Sequence, residues 1–204
     1  MFWSNMFLND IGQPLILDPN KRYGRFEQHS GPLLLTSAAF QEHVVPNDWC
    51  GQVYGTSEDI ARFQSMGSTK TYKYIVLKPH EPIQIEYRKI KNILTLIPVS
   101  QNTQLYYLQN DHVRVLIVDK LTGYLDFIPK AGANFHQALG SGIDVMYIDD
   151  LCFITDGNEA EQQREHLYVL IQLIRPKYLH GLRQNKLPRY MLDLCARKAL
   201  YLKT

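Results

Sequence analysis

The sequence predicts an α+β fold: a central, mainly antiparallel sheet with short N-terminal helices and two C-terminal amphipathic helices packed on it. Three observations carry the prediction. Between Thr71 and Asp119 the chain breaks into short runs rich in β-branched and aromatic residues, separated by Pro, Asn and Asp, as strands of a meander are. Two apolar stripes at helical spacing close the chain. No internal repeat, low-complexity tract or Ser/Gly linker interrupts it, so one continuous fold is expected.

Taken in order, the apolar Leu15 to Leu17 lies between the turn signals Asn9-Asp10-Ile11-Gly12 and Asp18-Pro19-Asn20 and reads as a short strand. Ser37 can cap a short helix over Ala38 to Val44, stopped by Pro46-Asn47-Asp48. Thr56 or Ser57 caps the next helix; Glu58 and Asp59 meet the positive end of its dipole, Ile60 and Phe63 share a face, and Gly67 ends it. The strand runs are Thr71 to Lys78, Ile83 to Tyr87, Asn92 to Val99, Gln104 to Leu108 and Val113 to Asp119, with Pro82 and Pro98 at ends or edges, where a missing donor is tolerated. A strand over Tyr124 to Ile128, a short helix over Asn134 to Leu139 and the unit VMYIDDLCFIT (Val145 to Thr155) follow. Glu159 to Ile174 then places Ala160, Gln163, Leu167, Leu170, Ile171 and Ile174 on one helical face, and Pro176 stops it. Pro188 opens the last helix, with Met191, Leu194, Cys195, Ala199 and Leu202 as its stripe.

A chain of 204 residues with 45% hydrophobic and 21% charged residues can bury one sizeable core without disulfides or metals. A single domain over residues 1–204 is expected, with two lobes dividing near 100–123 as the variant of that reading. Cys50, Cys152 and Cys195 are odd in number, far apart and without CxxC or Cys/His spacing, which argues against a disulfide framework or a zinc site. The first residues, MFWSNMFLND, have no basic n-region, and no apolar run reaches membrane-spanning length. A cytoplasmic protein, or one delivered without a cleavable secretory signal, is expected. The net charge of +2 hides an asymmetry: Asp144 to Glu165 is acidic, and from Arg175 onward the chain is basic.

The unit VMYIDDLCFIT puts two carboxylates between apolar runs. It resembles the metal-binding hairpin of reverse-transcriptase palm domains, and VLIVDKLTGY (Val115 to Tyr124) is similar to the strand carrying that family's other aspartate, here Asp119. That resemblance implies magnesium on Asp149 and Asp150. The stretch from Asp119 to Asp149 is too short for the substrate-binding elements that two-metal chemistry needs between them. Read from its own residues, the unit is a hairpin with Asp149 and Asp150 at an exposed turn.

Cys50 to Phe63 (CGQVYGTSEDIARF), followed by TYKYIVLKP, resembles the NAD-binding core of ADP-ribosyltransferases. The resemblance implies NAD as cofactor, with His29 holding its ribose, Tyr54 stacking on nicotinamide, Glu86 stabilising an oxocarbenium-like state, and Thr56 and Ser57 at the cofactor-binding junction. The other reading of the same residues is a capped strand-to-helix junction with Tyr54 in the core.

The seven histidines include no i, i+4 pair and no HxH, so no metal ligands are assigned. With the reactive side chains scattered, the expectation is a non-catalytic cytosolic protein that binds a macromolecule in the manner of inhibitor, immunity or effector proteins, without a cofactor. An ADP-ribosyltransferase using NAD is the alternative. A protein partner would meet the acidic residues Asp149, Asp150, Asp156, Glu159 and Glu161. Nucleic acid, the third reading, would meet Arg183, Lys186, Arg189, Arg197 and Lys198.

Overall fold

The structure, a computed structural model, describes residues 15–17, 31–36, 50–65, 72–87, 89–100, 103–118, 136, 140, 142–182 and 186–195. These residues form an α+β fold with two sheets. The first sheet is all parallel, in the order β1 (Ile16–Leu17), β2 (Leu33–Leu34), β3 (Gln52–Gly55) and β4 (Lys73–Val76). The second contains β5 (Ile83–Tyr87), β6 (Ile90–Ser100), β7 (Thr103–Gln109), β8 (Arg114–Val118), β9 (Val145–Ile148) and β10 (Tyr178–Gly181), ordered β10-β9-β8-β7-β6-β5. Its β5 to β8 half is the antiparallel meander the sequence predicts, and its β8, β9 and β10 are parallel. In place of the one expected, mainly antiparallel sheet there are thus two sheets, one all parallel and one of mixed direction. Strands buried on both faces carry no alternation, which hides parallel pairing from a reading of period.

Helix α1 (Ser57–Ser65) lies on the first sheet, where Phe63 is fully buried with its ring 6.0 Å from Tyr72 and 6.4 Å from Tyr74. Between the sheets, Leu15, Leu34 and Tyr54 meet Leu94, Leu96, Tyr106, Leu108, Val115 and Ile117. The other face of the second sheet, through Leu105, Leu116, Val118, Met146 and Ile148, is covered by α2 (Asn158–Ile174) and by Met191 of α3 (Arg189–Leu192). The layers therefore run helix, sheet, sheet, helix. In α2 the buried residues are Ala160, Gln163, Leu167, Leu170, Ile171 and Ile174, the face expected from its period, and Arg175 ends it in the left-handed region before Pro176. The helices expected over 38–44 and 134–139 and the strand over 124–128 fall on residues that, His136 apart, lie outside those described.

VMYIDDLCFIT is not a hairpin. Val145–Ile148 is β9, but Leu151–Phe153 is a 3-10 turn, and the strand beside β9 is the parallel β10, which is absent from the sequence reading. Among the described residues no helix is long and apolar enough to cross a membrane.

At the amino ends of β8, β9 and β10 one carboxylate ties the strands together. Asp144 accepts from the backbone N–H of Arg114 at 2.9 Å and from the Lys177 ammonium, with the Arg114 guanidinium 3.8 Å away. Burial alone would raise its pKa, but the Lys177 hydrogen bond, the Arg114 N–H and the two positive charges outweigh that, leaving it below the ordinary carboxylate range. A depressed folded-state pKa gives stability that is present above the unfolded value of about 3.9 and lost as pH falls through the folded one. Denaturant midpoints should therefore fall below about pH 4, and Asp144→Asn should flatten that limb of the profile.

Candidate functional site

Strand direction decides where a site can form. β4 continues past Leu77, whose N–H donates to the Gly55 carbonyl, into Pro79, which pairs in parallel with Leu96 of β6. All described strands except β5 and β7 therefore run the same way, and their carboxyl ends share one edge. Tyr106 fixes this alignment across the sandwich: its hydroxyl donates to the Leu35 carbonyl just past β2, 3.2 Å away. Open parallel sheets bind ligands at carboxyl ends because the loops that leave there are free of sheet pairing.

At that edge β9 delivers Asp149 and Asp150. Asp149 is half-buried; its Oδ1 accepts from the Leu151 N–H at 3.0 Å, its Oδ2 from the Gln163 amide of α2 at 3.0 Å, and its backbone N–H donates to the Val118 carbonyl of β8. Asp150 is fully buried, contrary to an exposed turn, and its side chain lies against Gly181 at the end of β10. Arg164 holds the following loop to α2 by donating to the carbonyls of Cys152 and Thr155. The Cys152 thiol donates to the Asp149 carbonyl at 3.2 Å. Burial first, and then the Asp149 charge, push that thiol up to about 12, so it is no nucleophile near neutral pH.

Among the described residues, Tyr54 and Glu86 do not join this edge cluster. Tyr54 is 2% exposed in the core between the sheets, its hydroxyl donating to Gln52 Oε1 at 2.6 Å, and burial raises its pKa. Glu86 is exposed on β5, in the other sheet; His29 lies outside the described residues. The Thr56 hydroxyl donates to Asp59 Oδ2 at 2.6 Å and accepts from the Asp59 N–H at 3.1 Å, a reciprocal cap of α1, while Ser57 is exposed. Asp59 is 2% exposed; burial raises its pKa against the lowering pull of Thr56 and Arg62. Thr56→Ala should cost about 1–2 kcal/mol in urea unfolding, because it removes the cap and leaves a buried carboxylate short of a donor.

Asp156, Glu159 and Glu161 are exposed around the start of α2, where negative charge complements the helix dipole. Lys186 and Arg189 are exposed, and Arg183, Arg197, Lys198 and Asp119 lie outside the described residues. The sequence reading missed Gly181 and Gln163 as parts of this edge. Gln163 carried a signal, a polar residue on an otherwise apolar helical face.

No family model matches the chain, and no curated protein does. Among solved structures it is similar to the metallo-β-lactamase fold protein YhfI from Bacillus subtilis, with 12% identity and a TM-score of 0.50, over 86% of this chain and 76% of that one. Zn(2+)-bound PqqB from Methylobacterium extorquens is also similar, with 13% identity and a TM-score of 0.48, over 78% of this chain; the match spans 64% of PqqB. The likeness to YhfI gives the fold as one of the metallo-β-lactamase kind.

This corrects the resemblance to ADP-ribosyltransferases, two of whose supposed residues, Tyr54 and Glu86, lie in different sheets. The same likeness stands against the expectation of a non-catalytic inhibitor, immunity or effector protein. The expectation of no cofactor, or of NAD, is corrected by the same likeness, the neighbour's name being that of a metallo-enzyme fold. Among the described residues, however, no three His, Cys, Asp or Glu side chains converge to hold an ion. Those donors do not fit a metal by themselves.

Proposed function

We propose that the chain is a hydrolase-like enzyme whose reacting centre lies at the shared carboxyl edge of the strands, with Asp149 as its general base. The observation that carries this reading is the convergence of strand ends on a half-buried, doubly anchored carboxylate in a sandwich similar to that of YhfI. The hydrogen bonds from the Leu151 N–H and the Gln163 amide hold one oxygen each, and an ionised carboxylate accepts a proton from water at either. Those bonds also fix the direction in which it does so, which general-base catalysis requires. A reducing, cytoplasmic setting belongs to the same reading, supported by the free thiols of Cys50, Cys152 and Cys195.

The test is hydrolysis of p-nitrophenyl acetate and bis(p-nitrophenyl) phosphate by purified protein, followed by release of nitrophenolate, with and without added zinc or manganese. Saturable turnover of one substrate is the expected result. Rates no higher than those of buffer with heat-denatured protein, for both substrates and both metals, would end the reading.

A further inference from the structure

Gly181 closes β10, and its backbone does not require glycine: among the described residues the positive-φ glycines are Gly142 and Gly157. What excludes a side chain there is Asp150. A methyl group built on Gly181 would lie 2.6 Å from Asp150 Cγ and 2.9 Å from its Cβ, and nearer still to Oδ2. Gly181 stands beside Ile148 in register, and the Leu182 N–H donates to the Ile148 carbonyl at 2.8 Å, so neither strand end can slide away to make room. Asp150 itself begins the 3-10 turn, its carbonyl accepting from the Phe153 N–H.

We infer that Gly181 is a positioning residue for Asp149. The bare Cα of Gly181 admits the fully buried Asp150 side chain between the ends of β9 and β10, and that seating fixes the peptide joining Asp149 to Asp150. With the peptide fixed, the Asp149 carboxylate meets both the Leu151 N–H and the Gln163 amide, which belong to different elements. This inference rests on the reading of Asp149 as general base. Ordinary van der Waals separation begins near 3.4 Å, so a methyl at 181 displaces Asp150 by most of an ångström. A misplacement of about 1 Å in a catalytic arrangement can lower rate by about 100-fold.

The experiment compares Gly181→Ala with the wild-type protein on whichever nitrophenyl substrate is turned over. The expected result is a fall in kcat of about 10- to 100-fold at nearly constant KM, because the substrate-binding surface is left in place while the base is misaligned. If Gly181→Ala does not fold, Asp150→Gly empties the same contact from the other side and should give the same split between kcat and KM. Folded Gly181→Ala with unchanged kcat, or folded Asp150→Gly with unchanged kcat, overturns the inference while leaving the role of Asp149 standing. Loss of turnover already in the wild type removes that role, and the inference with it.

Discussion

Tyr106→Ala should lower the stability of the protein by about 3–5 kcal/mol, the cost usual for deleting a buried aromatic ring. Tyr106 is fully buried in the middle of β7, paired with Leu96 of β6 and Ile117 of β8, and its ring fills the space between the two sheets. Truncation leaves a cavity that both sheets must close, but each is held by its own ladder, so collapse into it is incomplete. The same change strands the Leu35 carbonyl, whose contact with the Tyr106 hydroxyl crosses the sandwich. Tyr106→Phe isolates that second effect and should cost about 1 kcal/mol. Urea unfolding checks both, and a domain with about 5–15 kcal/mol in total loses a large share to the alanine variant. A shift of under about 1 kcal/mol for Tyr106→Ala would mean that the sheets are not joined through this residue.

Asp149→Asn should reduce hydrolytic turnover by about 100- to 10,000-fold, the range that a general base contributes. The amide keeps the size of the carboxylate and can still accept from Leu151, so the fold should persist. It cannot take a proton from water near neutral pH. An NH2 group in place of Oδ2 faces the Gln163 amide, donor against donor, until one of them turns over. The loss should therefore appear in kcat, with the urea midpoint moved little. A variant that keeps full turnover would place the base elsewhere on the edge.

The parts of this account that were legible in the sequence are those with a period. The buried face of α2 follows from apolar spacing near 3.6, and the meander strands Ile83–Tyr87 and Thr103–Gln109 follow from β-branched and aromatic runs bounded by turn residues. The all-parallel first sheet was not legible, because Leu33–Leu34 and Gln52–Gly55 are too short and too evenly buried to alternate. Leu151-Cys152-Phe153 reads as a returning strand by composition, yet Asp149 turns its carboxylate onto the Leu151 N–H and sets a 3-10 turn there instead. The Asp149–Asp150 pair was visible, but its setting was not: burial of Asp150 depends on Gly181, thirty-one positions along the chain and on a strand only four residues long. Tyr54 shows the opposite failure, since a motif-like surrounding suggested a cofactor for a side chain that packs in the core.

The claim that the carboxyl edge of the strands is the reacting edge is tested most directly by comparing Asp149→Asn with Asp144→Asn in one assay. Both carboxylates belong to β9 or its flanks, one at each end of the strand, and both are held by hydrogen bonds. At neutral pH and a temperature where both variants are folded, Asp144→Asn should retain turnover within about 2-fold of wild type, as for a change remote from the chemistry. Asp149→Asn should lose about 100-fold or more. Equal losses in the two variants, or a greater loss in Asp144→Asn, would contradict the account.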